Sequence, residues 1–130
     1  MKILRGREQG QASERRGPTF TGTVWADPVL EATDGVMINS VFFEPGARTH
    51  WHRHEQGQIL VVTSGQGRVY SRDGSGSSIG VGDTVWIPAG EEHWHGADAG
   101  TYLVHLAISL GKTEWLDPVS DDDYDQGAGR

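Results

Sequence analysis

Apolar and polar residues alternate in short runs through the middle of the chain, and glycine, proline or aspartate separates one run from the next. The alternation predicts strands over 20–25 and 37–43, the second closed by the turn residues Glu44-Pro45-Gly46. Further strands are predicted over 51–54, 58–63, 65–71, 77–81, 84–87, 93–96 and 102–109. Asp73-Gly74 reads as a hairpin turn, and Gly82-Asp83, Pro88-Ala89-Gly90 and Asp98-Ala99-Gly100 divide the later strands. Eight or nine short strands at these spacings predict an all-β sandwich or jelly-roll barrel. No helical period of useful length interrupts them.

The two ends differ in charge from the middle. Residues 1–16 hold Lys2, Arg5, Arg7, Arg15 and Arg16 against Glu8 and Glu14, a basic arm that is either mobile or docked on something acidic. Residues 113–130 form an acidic segment in which Asp117, Asp121, Asp122, Asp123 and Asp125 surround Tyr124, and Ser120 is placed to open a short terminal helix. The strand-rich region between them, 17–112, reads as one folding unit, as expected for 130 residues. Nineteen scattered glycines suit the many tight turns such a unit needs. The net charge of −7 repels phosphate backbones and anionic headgroups, so neither nucleic acid nor membrane is an expected partner. Without cysteine there is neither a disulfide framework nor a thiolate metal site. The first residues lack the apolar stretch of a signal peptide and no apolar run is long enough to span a bilayer, so a cytoplasmic location is expected.

The histidines carry the candidate chemistry. On a strand, successive side chains alternate faces, so His52 and His54 point one way and Trp51 and Arg53 the other. Gln58 keeps the parity of the two histidines, and a turn over 55–57 would bring its amide oxygen to the same interior point. A fourth ligand has to come from elsewhere, and His93, delivered by Pro88-Ala89-Gly90 at the start of a strand, is the obvious candidate. Neutral imidazoles suit divalent transition metals, and a carboxamide oxygen adds a hard ligand without charge. Three His and one Gln would leave the dipositive charge uncompensated and the ion a stronger Lewis acid. The alternative is a set of half-buried, hydrogen-bonded and inert strand histidines.

Gly46-x5-His52-x-His54-x3-Gln58-x6-Gly65 resembles the first motif of the cupin superfamily, with Gln58 where the usual pattern has Glu. Gly82-x5-Pro88-x-Gly90-x2-His93 resembles the second, with Ala97 in place of the Asn that usually follows. The resemblance covers about 42–106. It implies a small jelly-roll β-barrel in which His52, His54, Gln58 and His93 hold the metal. A closer likeness, over Phe-Thr-Gly-Thr-Val at 20–24, Phe-Glu-Pro-Gly-Ala-Arg-Thr at 43–49, the segment at 88–97 and His105-Leu106-Ala107-Ile108, is to small bacterial cupins that act as manganese-dependent hydroxynitrile lyases. Those commonly have a small apolar residue where this chain carries His50.

His95 shares the parity of His93, and His105 belongs to the neighbouring strand, so both are candidates for acid–base work. The resemblance favours His105 as the catalytic base, with His95 a supporting or rim residue. Met37, Asn39 and Val41 share one strand face and are the expected substrate-binding wall, while Trp51, Trp86, Trp94 and Trp115 are expected to pack. The leading expectation is a carbon–carbon lyase acting on cyanohydrins at a divalent metal, with Mn(II) favoured and Fe, Ni, Co or Zn compatible with the same ligands. Alternatives are an iron-dependent dioxygenase, a sugar or uronate isomerase, and a non-catalytic protein that binds a small ligand. By analogy with small cupins, a homodimer or homotetramer is expected.

Overall fold

The computed structural model describes residues 1–6 and 11–128, so Arg7 and Glu8 of the basic arm lie outside the described residues. The strands predicted from alternation form two antiparallel sheets that curl over a shared interior. In the first sheet β1 (Glu14–Arg15), β3 (Val24–Thr33), β4 (Val36–Phe43), β11 (Leu103–Leu110), β7 (Gly57–Ser71) and β9 (Thr84–Ile87) lie side by side. In the second, β2 (Phe20–Thr21), β5 (Arg48–Thr49), β10 (His93–Ala97), the far half of β7 and β8 (Gly76–Gly80) follow one another. Two short strands, β6 (His52–His54) and β12 (Thr113–Trp115), extend it by pairing β6 to β10 and β12 to β6. Strand pairing therefore continues on both sides of 17–112, through β1 and β12.

Alternation is clearest on β11, where Leu103, His105, Ala107 and Ser109 are buried and the residues between them are half-buried. Val24, Phe43, Leu60, Val62, Leu103 and Ile87 build the core between the sheets. The structure differs from the sequence reading at two glycines. The run over 20–25 is not one strand, because Gly22 takes a φ of 82° and packs so closely on Ala47 that a Cβ would lie 2.9 Å from the Ala47 Cβ. Conversely, the runs 58–63 and 65–71 form the single strand β7, which turns a corner at Gly65 and passes from one sheet into the other. Gly65 has a φ of 77°, a conformation open to glycine at little cost.

A second apolar cluster, Trp51, Tyr70, Trp94, Val119 and Tyr124, lies under the C-terminal segment. Ser120 accepts a hydrogen bond from the Asp123 amide at 3.1 Å and so caps α1 (Asp121–Ala128). The acidic segment docks on two buried arginines of the barrel. Arg48 donates to the Val119 carbonyl and to Asp121, each at 2.8 Å. Arg68 donates to the Tyr124 carbonyl at 3.1 Å and holds Asp98, while the Tyr124 hydroxyl donates to the Ala97 carbonyl at 2.6 Å. The Tyr124 ring lies 4.6 Å and 4.2 Å from the two guanidinium carbons. At the other end, Ser13 donates to Asp27 at 2.6 Å and β1 joins the edge of β3.

The corner of β7 gives a stability prediction. A Cβ at Gly65 would meet the Tyr102 carbonyl oxygen at 2.0 Å, whereas one at Gly80 meets nothing within 4 Å. Gly65→Ala is expected to lower unfolding stability by about 2–4 kcal/mol, and Gly80→Ala by less than about 1 kcal/mol, in urea titrations followed by tryptophan fluorescence.

Candidate metal centre

Strands β6 and β10 bring four imidazoles together because their alternate residues face inward at matched register. His93 lies opposite His52, and all four of His52, His54, His93 and His95 are buried. One ring nitrogen each of His52, His93 and His95 falls within 4.8 Å of the others. The His54 ring centroid is 5.0 Å from that of His52 and 5.6 Å from that of His93. Gln58 enters from β7, with Oε1 3.1 Å from His93 Nε2. Its amide nitrogen donates to Ser109 Oγ at 3.1 Å, which turns the oxygen toward the imidazoles.

Each ring is oriented by a neighbour that leaves a nitrogen for the centre. His52 Nδ1 lies 2.9 Å from the His50 carbonyl oxygen and His93 Nδ1 lies 2.9 Å from the Glu91 carbonyl oxygen, the same two-residue step on two strands. His54 Nδ1 is 3.0 Å from the Thr113 hydroxyl, and His54 Nε2 is buried without a partner. His95 Nδ1 is 2.9 Å from His105 Nε2, and His95 Nε2 is likewise buried and unpartnered. His105 is fully buried, against Phe43.

Burial pushes His54, His93 and His105 down to about 4, and holds His52 and His95 well below the ordinary histidine value. The proximity of His93 to His52, and of His105 to His95, adds to the effect. At neutral pH the five rings are neutral, each with one proton and one lone pair. His93 then has an acceptor at each nitrogen, the Glu91 carbonyl on one side and Gln58 Oε1 on the other, and a single proton to offer. One of those contacts sets lone pair against lone pair, which a cation between them would resolve. Together with the unpartnered Nε2 of His54, this donor set fits a divalent transition metal.

A cavity of about 290 Å³ opens onto the imidazoles. His52, His54, Gln58 and His95 line it, and Met37, Asn39 and Val41 of β4 line it as well. His93 and His105 are not part of its surface. Met37 and Trp115 are its most exposed lining residues, and Arg16, Thr19, Phe20, Asn39 and Thr113 are half-buried, so its mouth lies among them. His50 does not line the cavity and contributes its backbone, as the acceptor beside His52. Five polar lining residues escaped the sequence reading: Arg16, Thr19, Thr49, Ser109 and Thr113. Ser109 had a signal, since it shares the parity of His105, and Thr49 accepts from the His95 amide at 3.2 Å. Trp115, expected only to pack, lines the cavity and lies 4.6 Å from His52, centroid to centroid.

Neutral buried imidazoles make the metal-free protein acid-sensitive. Their native pKa values lie below the unfolded value of about 6.5, so on acidification the unfolded chain takes up protons that the native state refuses. Stability in EDTA is expected to be fully present above about pH 7 and to fall between about pH 6.5 and pH 4, His105 alone contributing about 3 kcal/mol to the loss. Urea unfolding at pH 7.5, 6 and 5 measures it, and His105→Phe is expected to flatten the slope.

The family model for the cupin domain matches residues 39–109. The chain is 45% identical over 123 residues to a protein named (R)-mandelonitrile lyase from Granulicella tundricola, covering 88% of this chain and 94% of that one. It is 25% identical over 79 residues to a gentisate 1,2-dioxygenase from a Ralstonia species, covering 61% of this chain and 22% of that enzyme. A crystal structure of a cupin-like protein from Thermotoga maritima is similar at a TM-score of 0.83 and 37% identity, covering 92% of this chain and 97% of the other. The matched segment is more than half of the chain and holds every strand that contributes an imidazole or Gln58 to the cluster, so the protein belongs to the cupin family.

Proposed function

We propose that this protein is a hydroxynitrile lyase, cleaving and forming cyanohydrins at a divalent metal, Mn(II) foremost, held by His52, His54, Gln58 and His93. The observation that carries the reading is the 45% identity to the mandelonitrile lyase over nearly the full length of both chains. When bound among neutral ligands, such an ion supplies Lewis acidity and stabilises developing negative charge.

The chain's own groups supply the proton chemistry. His95 borders the cavity with an unpartnered Nε2, which supports it as the group that takes the hydroxyl proton of the cyanohydrin. As that proton leaves, the carbon–oxygen double bond forms, the bond to cyanide breaks, and cyanide departs with the electron pair. The protonated ring then returns its proton to cyanide, so aldehyde and hydrogen cyanide leave in balance. His105, 2.9 Å behind, fixes the His95 ring and shares the proton on its Nδ1. The resemblance to the lyases favours His105 as the base; the access of His95 to the cavity supports a pair in which His95 meets the substrate and His105 backs it. Met37, Asn39 and Val41 form a wall of one polar and two apolar side chains, suited to seating a hydroxyl beside an apolar substituent. A second reading, an iron-dependent dioxygenase, draws on the weaker match to gentisate dioxygenase.

Metal-stripped protein is expected to release no benzaldehyde from mandelonitrile above background, and Mn(II) is expected to restore release in the wild type and not in His52→Ala. Absence of restored release, with oxygen uptake on gentisate after iron loading, would replace the lyase by the dioxygenase. His95→Phe is expected to lower kcat by about a hundredfold or more at unchanged metal content, as loss of a general base does. Metal analysis alongside turnover separates that role from a ligand role.

A further inference from the structure

The cavity of this protein is electrostatically one-sided. Among the described residues that line it there is no Asp or Glu, and the one formally charged side chain is Arg16. Its imidazoles are neutral, its amides and hydroxyls are uncharged, and the whole molecule carries −7. Arg16 reaches this position because its amide donates to the Val24 carbonyl at 2.9 Å and Thr19 accepts from the His50 amide at 2.9 Å, which seats the segment 16–20 beside β5 and β6. The guanidinium is one-third exposed and, among the described residues, makes a single long ion contact, 3.5 Å to the mostly exposed Glu14. A water-screened pair at that distance leaves most of the arginine charge available to another partner.

We infer that Arg16 makes the cavity selective for substrates that carry a carboxylate, and so acts as a specificity-determining residue at its mouth. A planar guanidinium is matched to a carboxylate by two parallel hydrogen bonds, and in a partly dehydrated mouth such a pair is stronger than in water. Thr19 and Thr113 line the same cavity and keep its wall near Arg16 uncharged. The net charge of −7 disfavours organic anions over the molecule as a whole, and within the cavity Arg16 is the group that offers a carboxylate a favourable field. The inference goes beyond the lyase reading, which concerns the reacting carbon and not the remainder of the substrate.

The test is a binding measurement on metal-stripped protein, so that no metal ion contributes charge and no turnover is needed. The probes are 4-nitrobenzoate and 4-nitrobenzyl alcohol, equal in shape and different in charge, titrated against tryptophan fluorescence, which Trp115 in the cavity wall reports. Wild type is expected to bind the carboxylate about tenfold more tightly than the alcohol. Arg16→Gln is expected to abolish that ratio, and Arg16→Lys to retain part of it. Raising the salt concentration is expected to weaken the carboxylate and leave the alcohol unmoved, a readout in the wild type that is independent of how the variants fold. Equal affinities in wild type, a ratio insensitive to salt, or a ratio that survives in a folded Arg16→Gln would each overturn the inference. Because neither metal nor cyanohydrin enters the assay, failure of the lyase reading leaves this result intact, and the reverse also holds.

Discussion

Five imidazoles are buried side by side in one interior, and the site depends on their staying neutral together. Desolvation is the first cause of the lowered basicity of all five, with repulsion among them adding for His52, His54 and His95. Neutral rings carry lone pairs, and lone pairs require an orienting donor or acceptor on the far side of each ring. The backbone carbonyls of His50 and Glu91, the Thr113 hydroxyl and the paired ring of His105 fill that role. The Nε2 atoms of His54 and His95 remain unpartnered on rings that line one small cavity, a costly arrangement of buried polar atoms that a bound cation would relieve at His54.

The barrel holds this arrangement from two sides. On one, β7 crosses from sheet to sheet at Gly65, so that its first half delivers Gln58 and its second half pairs with β10 and fixes the register of His93 and His95. On the other, the C-terminal segment closes the second apolar cluster with Tyr124 and with the buried guanidinium groups of Arg48 and Arg68. Trp94, between the two inward histidines of β10, points into that cluster. The outward face of β10 is therefore packed, and its inward face is free to carry polar side chains without loosening the strand.

Periodicity made most of the barrel readable, because a period of two is a local property of a half-buried strand. It made His52, His54 and Gln58 readable as one inward set for the same reason. It failed where backbone conformation departs from the strand average: Gly22 splits one run and Gly65 joins two, and a positive φ leaves no mark on an apolar pattern. It also missed β12, whose three residues are too few to show alternation, and with it the roles of Thr113 and Trp115 beside His54 and His52. Nor did spacing along the chain tell that the acidic end docks on arginines that are distant in sequence and buried in the barrel.

The sequence by itself determined the all-β fold, the shared inward parity of His52, His54 and Gln58 and of His93 and His95, and the residue types able to hold a metal, since these follow from spacing along one chain. Tertiary structure alone decided that His95 borders the cavity while His105 stands behind it, that Ser109 orients Gln58, and that Arg16 reaches the mouth. Parity tells which face a side chain takes but not how deep it lies. Depth is set by the register between strands far apart in sequence, and the identity of the neighbours across a barrel is decided only when the sheets close.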